Sequence, residues 1–285
     1  MRRSAVRRRG VGAAGVLAVA LLAGCSGSGS ETDGDDVAAA VSAEASASAV
    51  AGKGTGVGAL SAEELEAVAL ADGKAVAGGT VTAQVSDLDF PNPGTVIAEK
   101  AVCTPLAAVQ AGSVLGAPVS VVRRMWIGPQ ETSEADLGGN PSDEELAAVE
   151  LDATTSFVSL ASYEKEMAAK AAMAGIGQAV RECAGGFVYT VAGEDRVKTV
   201  KAQQTGAPAG TEAADEVIAA TLTVAVDGVN GPVQVVVVRE GGTIGYFPAT
   251  NLASRATGDA FTLPAALVRS QLTRLTEAGK PASSS

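Results

Sequence analysis

The sequence predicts an α+β fold: an antiparallel β-sheet packed with α-helices, forming a single globular domain behind a flexible tether. Three observations carry this reading. Short β-rich segments separated by glycine-containing turns fill the stretch from Phe187 to Phe247. Apolar residues at helical spacing stand before and after that stretch. The residues up to Gly58 hold no aromatic side chain and are built of small, polar and acidic types once the first 25 are passed.

Taken in order, Ser61-x-x-Glu64 before Leu65, Val68 and Leu70 is a capping box opening a short helix. Thr80 to Val85 alternates as a strand, and residues 87–94, with Pro91 and Pro93, form a loop. Thr104-Pro105 reads as an N-cap followed by proline at the first helical position, starting a helix to about Val109. Val119 to Ile127 is β-rich. After the loop Gly139 to Ser142, residues 143–149 make a short helix or turn.

The sharpest periodicity runs from Ser162 to Cys183. Ala169, Met173, Ile176, Val180 and Cys183 recur at spacings of four and three, so one apolar stripe faces a core. Ser162 is placed to cap this helix and Gly185-Gly186 to end it. Beyond it, Phe187–Val191, Arg196–Lys201, Leu222–Val226, Val233–Val238 and Ile244–Phe247 read as an antiparallel meander. Asp227-Gly228, Asn230-Gly231 and Gly241-Gly242 supply turn chemistry, and the four valines Val235 to Val238 predict a strand covered on both faces. Pro248 is expected to end or edge the last strand. Pro264 opens a final helix whose Val268, Leu272 and Leu275 share a face.

The N-terminal region is organised differently. Arg2, Arg3, Arg7, Arg8 and Arg9 precede an apolar run, Val11 to Ala23, that is too short to span a bilayer. This is the pattern of an export signal, and the paired arginines leave the export route open between the general and twin-arginine systems. The run closes on Leu22-Ala23-Gly24-Cys25, which resembles the lipobox of bacterial lipoproteins, in which the cysteine is acylated and becomes the first residue. The resemblance implies a signal peptide over 1–24, a lipidated Cys25, and attachment to the cell membrane on its extracytoplasmic side. Two acyl chains hold a protein to a bilayer durably where one does not. Residues 25–58 then read as a tether, 59–280 as the folded domain and 281–285 as a disordered tail.

Two cysteines remain once Cys25 is assigned to lipid. In an oxidising compartment Cys103 and Cys183 are predicted to form a disulfide.

Composition excludes several chemistries. The chain has 32 Asp and Glu against 21 Lys and Arg, and the five arginines before Cys25 are removed with the signal, leaving 16 against 32 and a formal charge of −16. Such a charge repels phosphate backbones, so no nucleic acid is expected as a partner. There is no histidine, which removes Ser-His-Asp and Cys-His triads and the imidazole ligands of most transition-metal sites. Asp33, Asp35 and Asp36 lack a calcium-loop pattern. No metal and no cofactor is expected. Ser162-x-x-Lys165 matches the Ser-x-x-Lys arrangement of penicillin-recognising enzymes, but neither companion motif of those enzymes occurs, and Ser162 reads better as a cap.

Leu65-Glu66-Ala67, Cys103-Thr104-Pro105-Leu106-Ala107, Tyr163 to Phe187 with its Arg181-Glu182-Cys183-Ala184-Gly185-Gly186 end, and Val235 to Arg239 followed by Gly242-Thr243 are similar to segments of surface lipoproteins of streptomycete-type actinobacteria. More distantly, the two-cysteine plan of helices and sheet resembles the extracellular sensor domains of mycobacterial receptor kinases. That resemblance implies a ligand cleft above an antiparallel sheet, although such domains carry more than one disulfide and this chain can form one.

The expected function is therefore non-enzymatic: a membrane-anchored lipoprotein that binds a ligand or envelope partner, with Trp126, Tyr246 and Phe247 as candidate ligand contacts. Two readings stand beside it, an accessory envelope lipoprotein without a small-molecule pocket and a hydrolase using a serine or carboxylate.

Overall fold

In the computed structural model, which describes residues 59–278 apart from 86–89, 93, 131–138, 141, 143–145, 147–148, 150, 195 and 227, the four valines lie in β9 (Val229–Glu240). Val235 and Val237 enter one hydrophobic core and Val236 and Val238 a second on the opposite face. Successive strand side chains point to opposite faces, so an unbroken valine run suits a strand buried on both.

The sheet has ten strands in the order β1-β2-β4-β5-β10-β9-β8-β7-β6-β3. They are β1 (Ala75–Val76), β2 (Gly79–Thr82), β3 (Val96–Ala98), β4 (Ser120–Gln130), β5 (Ala153–Ser162), β6 (Phe187–Val191), β7 (Arg196–Gln204), β8 (Glu216–Val226), β9 and β10 (Thr243–Asn251). Every neighbouring pair is antiparallel, and β6 to β10 form the meander read from the sequence.

Helices cover both faces. On one side α2 (Thr104–Gln110) and α3 (Glu166–Glu182) pack on the core that holds Val235, Val237, Leu222 and Tyr246. The predicted stripe is the buried face of α3, with Ala169, Met173 and Ile176 fully covered. Burying each large apolar side chain of this kind is worth about 1.5–3 kcal/mol. A disulfide joins Cys183, just past α3, to Cys103 in the 3-10 turn Ala101–Cys103 before α2, closing a separation of 80 residues.

On the other side α5 (Ala265–Ala278) lays Leu267 and Val268 on the second core, with Val236, Val238 and Phe247. Its Gln271 is buried and spans to the loop after α1 (Ala62–Val68), accepting from the Leu70 N–H at 3.0 Å and donating to Val68 O at 2.9 Å. The capping box of α1 forms as the sequence predicts, Ser61 Oγ accepting from Glu64 N–H while the Glu64 carboxylate accepts from Ser61 N–H. Arg124 of β4 ties α1 down through Leu70 O and Glu66. A last short helix, α4 (Leu252–Thr257), is capped by Asn251 and stopped by left-handed Gly258.

Five expectations are corrected. Ser162 does not cap α3. It ends β5, pairs with Ser120 on one side and Thr243 on the other, and its Oγ accepts from the Leu60 N–H at 2.7 Å, while α3 begins at Glu166. Pairing on both edges outweighs a local cap. Thr104 is the first residue of α2 rather than its cap, its hydroxyl accepting instead from Ala98 N–H. Asn230-Gly231 lies within β9, and the turn before it falls at Gly228, whose φ is +86°. Pro248 sits inside a central strand, where the β10–β5 pairing lapses between Tyr246–Ser159 and Ala249–Ser156 and Ser156 Oγ donates to Pro248 O at 3.0 Å. A proline is tolerated where no ladder donor is needed. The alternation expected to Val85 ends as a strand at Thr82. Three strands, β1, β3 and β5, carry no sequence expectation. The signal, Cys25, the tether, the 281–285 tail and most of residues 143–149 lie outside the described residues.

Candidate functional site

The strand residues on the α2 and α3 face do not all lie under helices. Tyr189 of β6, Val197 of β7, Val224 of β8, Val233 of β9 and Thr250 of β10 form the floor of a groove of about 470 Å³. Gln110 at the end of α2 and Arg255 in the last turn of α4 bound it, with Arg196 and Ala225 at the rim. The floor is continuous with the core beneath α2 and α3, to which Tyr189, Val224 and Val233 belong.

Arg255 is aimed by backbone geometry. Asn251 Oδ1 accepts from Ser254 N–H at 2.9 Å and Gly258 closes the helix at φ +83°, so α4 is fixed at both ends. Gly231 of β9 lies directly against it: a Cβ there would stand 2.6 Å from Arg255 Cα and 2.8 Å from Arg255 O. Only glycine admits this approach.

The polar side chains of the groove can all donate. Arg255 is half-buried and, among the described residues, makes no ion pair or hydrogen bond. Tyr189 is 3% exposed and its hydroxyl likewise has no hydrogen-bond partner among them. Burial pushes that hydroxyl up to about 12, against the opposing pull of the Arg255 charge, so it remains protonated at neutral pH. Gln110 Oε1 accepts from Thr199 Oγ1 at 2.7 Å, leaving its amide N–H groups as donors. Among the described residues no carboxylate lines the groove. At the rim Arg196 pairs with Glu99 at 2.6 Å, both well exposed.

Other hollows differ in character. A more open one of about 590 Å³ is lined by Glu99, Lys100, Gly186, Lys198 and Val200 beside the disulfide-bearing turn, and there Lys100 Nζ donates to Glu182 O. Another of about 390 Å³ lies between α5 and the α1–β1 loop, where Arg274 donates to Val68 O and Ala67 O. Among the described residues no three of His, Cys, Asp and Glu gather as a metal-binding group, and no helix is long and apolar enough to cross a membrane.

The aromatic candidates Trp126, Tyr246 and Phe247 are not in a cleft, which corrects that expectation. Their exposures are 0%, 1% and 0%. Trp126 Nε1 donates to Val76 O at 2.7 Å and packs with Phe247 in the core under α5. Tyr246 lies in the other core, its hydroxyl 2.9 Å from that of Tyr163, which donates to Leu115 O at 2.6 Å. Each ring has apolar surface that the core takes up and a polar atom that the backbone or a neighbour satisfies. Ser162 and Lys165 are also apart in role: Ser162 is fully buried in a strand and Lys165 exposed before α3, so they do not share a helical turn.

The groove residues Tyr189, Gln110, Thr250 and Arg255 carried no sequence signal of function. The Asn251 cap and Gly258 stop that place Arg255 were readable as helix boundaries.

No family model matches this chain, and no curated protein matches it. Among solved structures it is similar to the extracellular domain of PknH from Mycobacterium tuberculosis, with 12% identity and a TM-score of 0.38 over 78% of this chain and 93% of that one.

Proposed function

We propose that this protein is an extracytoplasmic lipoprotein, held to the membrane through acylated Cys25, whose folded unit binds a small molecule in the groove between α2 and α4 without catalysing a reaction on it. The observation that carries this reading is the pair Arg255 and Tyr189. These two polar groups, without hydrogen-bond partners among the described residues, stand at the wall and floor of a partly apolar hollow, where a ligand can reach them. The export-signal pattern and the Cys103–Cys183 disulfide support an oxidising location outside the cytoplasm. The acidic charge supports lipid, rather than surface electrostatics, as the membrane attachment, and argues against nucleic acid.

The test is mass spectrometry of the protein extracted from its own membranes. Denaturing intact-mass measurement is expected to give a chain cut before Cys25 with a diacylglyceryl group added, and an unmodified N-terminus elsewhere refutes the anchor. Native measurement is expected to retain a small molecule that Val224→Trp, which fills the groove, expels. A ligand-free wild type, or one whose ligand survives Val224→Trp, favours an accessory lipoprotein with no pocket on this face.

A further inference from the structure

We infer that the groove takes a small monocarboxylate with a hydrocarbon body, its carboxylate held by Arg255 and its body lying on Val197, Val224 and Val233. This deepens the groove reading proposed above and rests on it.

The other buried guanidiniums of the fold show what an arginine with a structural task looks like. Arg239, 5% exposed, meets Asp215 at 2.8 Å, Gly241 O at 3.0 Å and Glu166 at 3.4 Å. Arg124, 6% exposed, donates to Leu70 O, Arg123 O and Glu66. Arg255 has none of this among the described residues, in a chain with 32 acidic residues available to pair it. It is held instead over a groove that has no carboxylate among the described residues and into which the Tyr189 hydroxyl, the Gln110 amide and the Thr250 hydroxyl can donate.

Hydroxyl and amide donors around an unpaired guanidinium are complementary to an anion. A guanidinium presents two parallel N–H groups that match the two oxygens of a carboxylate. Arg196 at the rim is paired with Glu99, so one unpaired guanidinium is left for one negative charge, and among the described lining residues no helix N-terminus or glycine-rich loop holds the second charge of a phosphate monoester. Arg196 at the rim aside, the remaining lining side chains, Val197, Val224, Ala225 and Val233, offer methyl groups, which suit a hydrocarbon body better than a sugar or peptide. A hollow of about 470 Å³ falls within the range of small-molecule sites.

The test measures binding of hexanoate, hexanol, hexylamine and hexyl phosphate to the purified full-length protein by calorimetry, with wild type, Arg255→Gln, Arg255→Lys, Tyr189→Phe and Val224→Trp compared after each variant's fold is checked by circular dichroism. Hexanoate is expected to bind about tenfold or more tightly than hexanol or hexylamine. Arg255→Gln should erase that preference, Arg255→Lys should keep part of it, and Tyr189→Phe should weaken hexanoate by about threefold or more. The inference is overturned if hexanol or hexylamine matches hexanoate, if Arg255→Gln leaves hexanoate unchanged, or if hexyl phosphate binds more tightly. Failure of the groove reading itself looks different: no probe binds, or those that bind are indifferent to Val224→Trp.

Discussion

Gly231 supports Arg255 from below, backbone against backbone, with no room for a methyl group between them. The contact sets the height of α4 above the sheet and therefore the position of the guanidinium over the groove. Gly231→Ala is expected to push α4 outward, lower stability by about 1–3 kcal/mol and weaken carboxylate binding by about tenfold. Urea unfolding and the hexanoate titration measure the two effects, and a variant that loses neither places α4 elsewhere.

The disulfide closes a separation of 80 residues across the helical face. In the chain-entropy model a loop of that length contributes roughly 4 kcal/mol, an upper guide because denatured-state structure lowers it. Cys103→Ser with Cys183→Ser should therefore unfold at distinctly lower denaturant concentration than wild type. Thiol labelling of denatured, unreduced protein should find both cysteines blocked.

Gln271 is the polar staple between α5 and the end of α1. Gln271→Leu preserves volume but leaves the buried Leu70 N–H without an acceptor, while Val68 O keeps its bond from Arg274. The expected loss is about 2 kcal/mol, read as a shift in the denaturation midpoint without a change in slope. Gln271→Glu, which retains the acceptor, should cost less at acid pH, where it is protonated, than at neutral pH.

Tyrosine ionisation sets an alkaline limit. Burial pushes Tyr163 and Tyr189 up to about 12, and burial together with the neighbouring Tyr163 pushes Tyr246 well above the usual tyrosine value. The folded pKa lies above the unfolded value of about 10, so the native state favours the protonated form. This contribution to stability is complete below pH 10 and is lost as the pH rises from about 10 through 12. Ultraviolet titration should show these phenols ionising together with unfolding, and melting temperatures should fall steeply only above about pH 10. Reversible ionisation near pH 10 in the folded state would contradict their burial.

What was legible in the sequence is what repeats or pairs. The α3 stripe, the two-faced valine strand, the α1 capping box and the Cys103–Cys183 pair are each specified by local spacing or by count, and the structure has all four. Strand β5, Ala153–Ser162, was not legible because its buried faces carry Thr154, Ser156, Ser159 and Ser162 among apolar residues, which breaks the alternation by which a strand is recognised. Two of those hydroxyls are satisfied by partners far along the chain, Leu60 and Pro248. The groove was hidden for a related reason. Trp126, Tyr246 and Phe247 stand out in the sequence by residue type, but large aromatics mostly fill cores. Tyr189 and Arg255 become a site only when the meander brings β6 and the helix after β10 to one face, and no spacing within the sequence encodes that meeting.

The central claim is that ligand binds between α2 and α4. Its most direct measurement is a hexanoate titration of isotope-labelled protein followed through backbone amide shifts. The account predicts saturable changes concentrated at Gln110, Tyr189, Val197, Val224, Thr250 and Arg255. Changes centred on Lys100 and Lys198, or on Lys74 and Arg269, or the absence of saturable change anywhere, would contradict it.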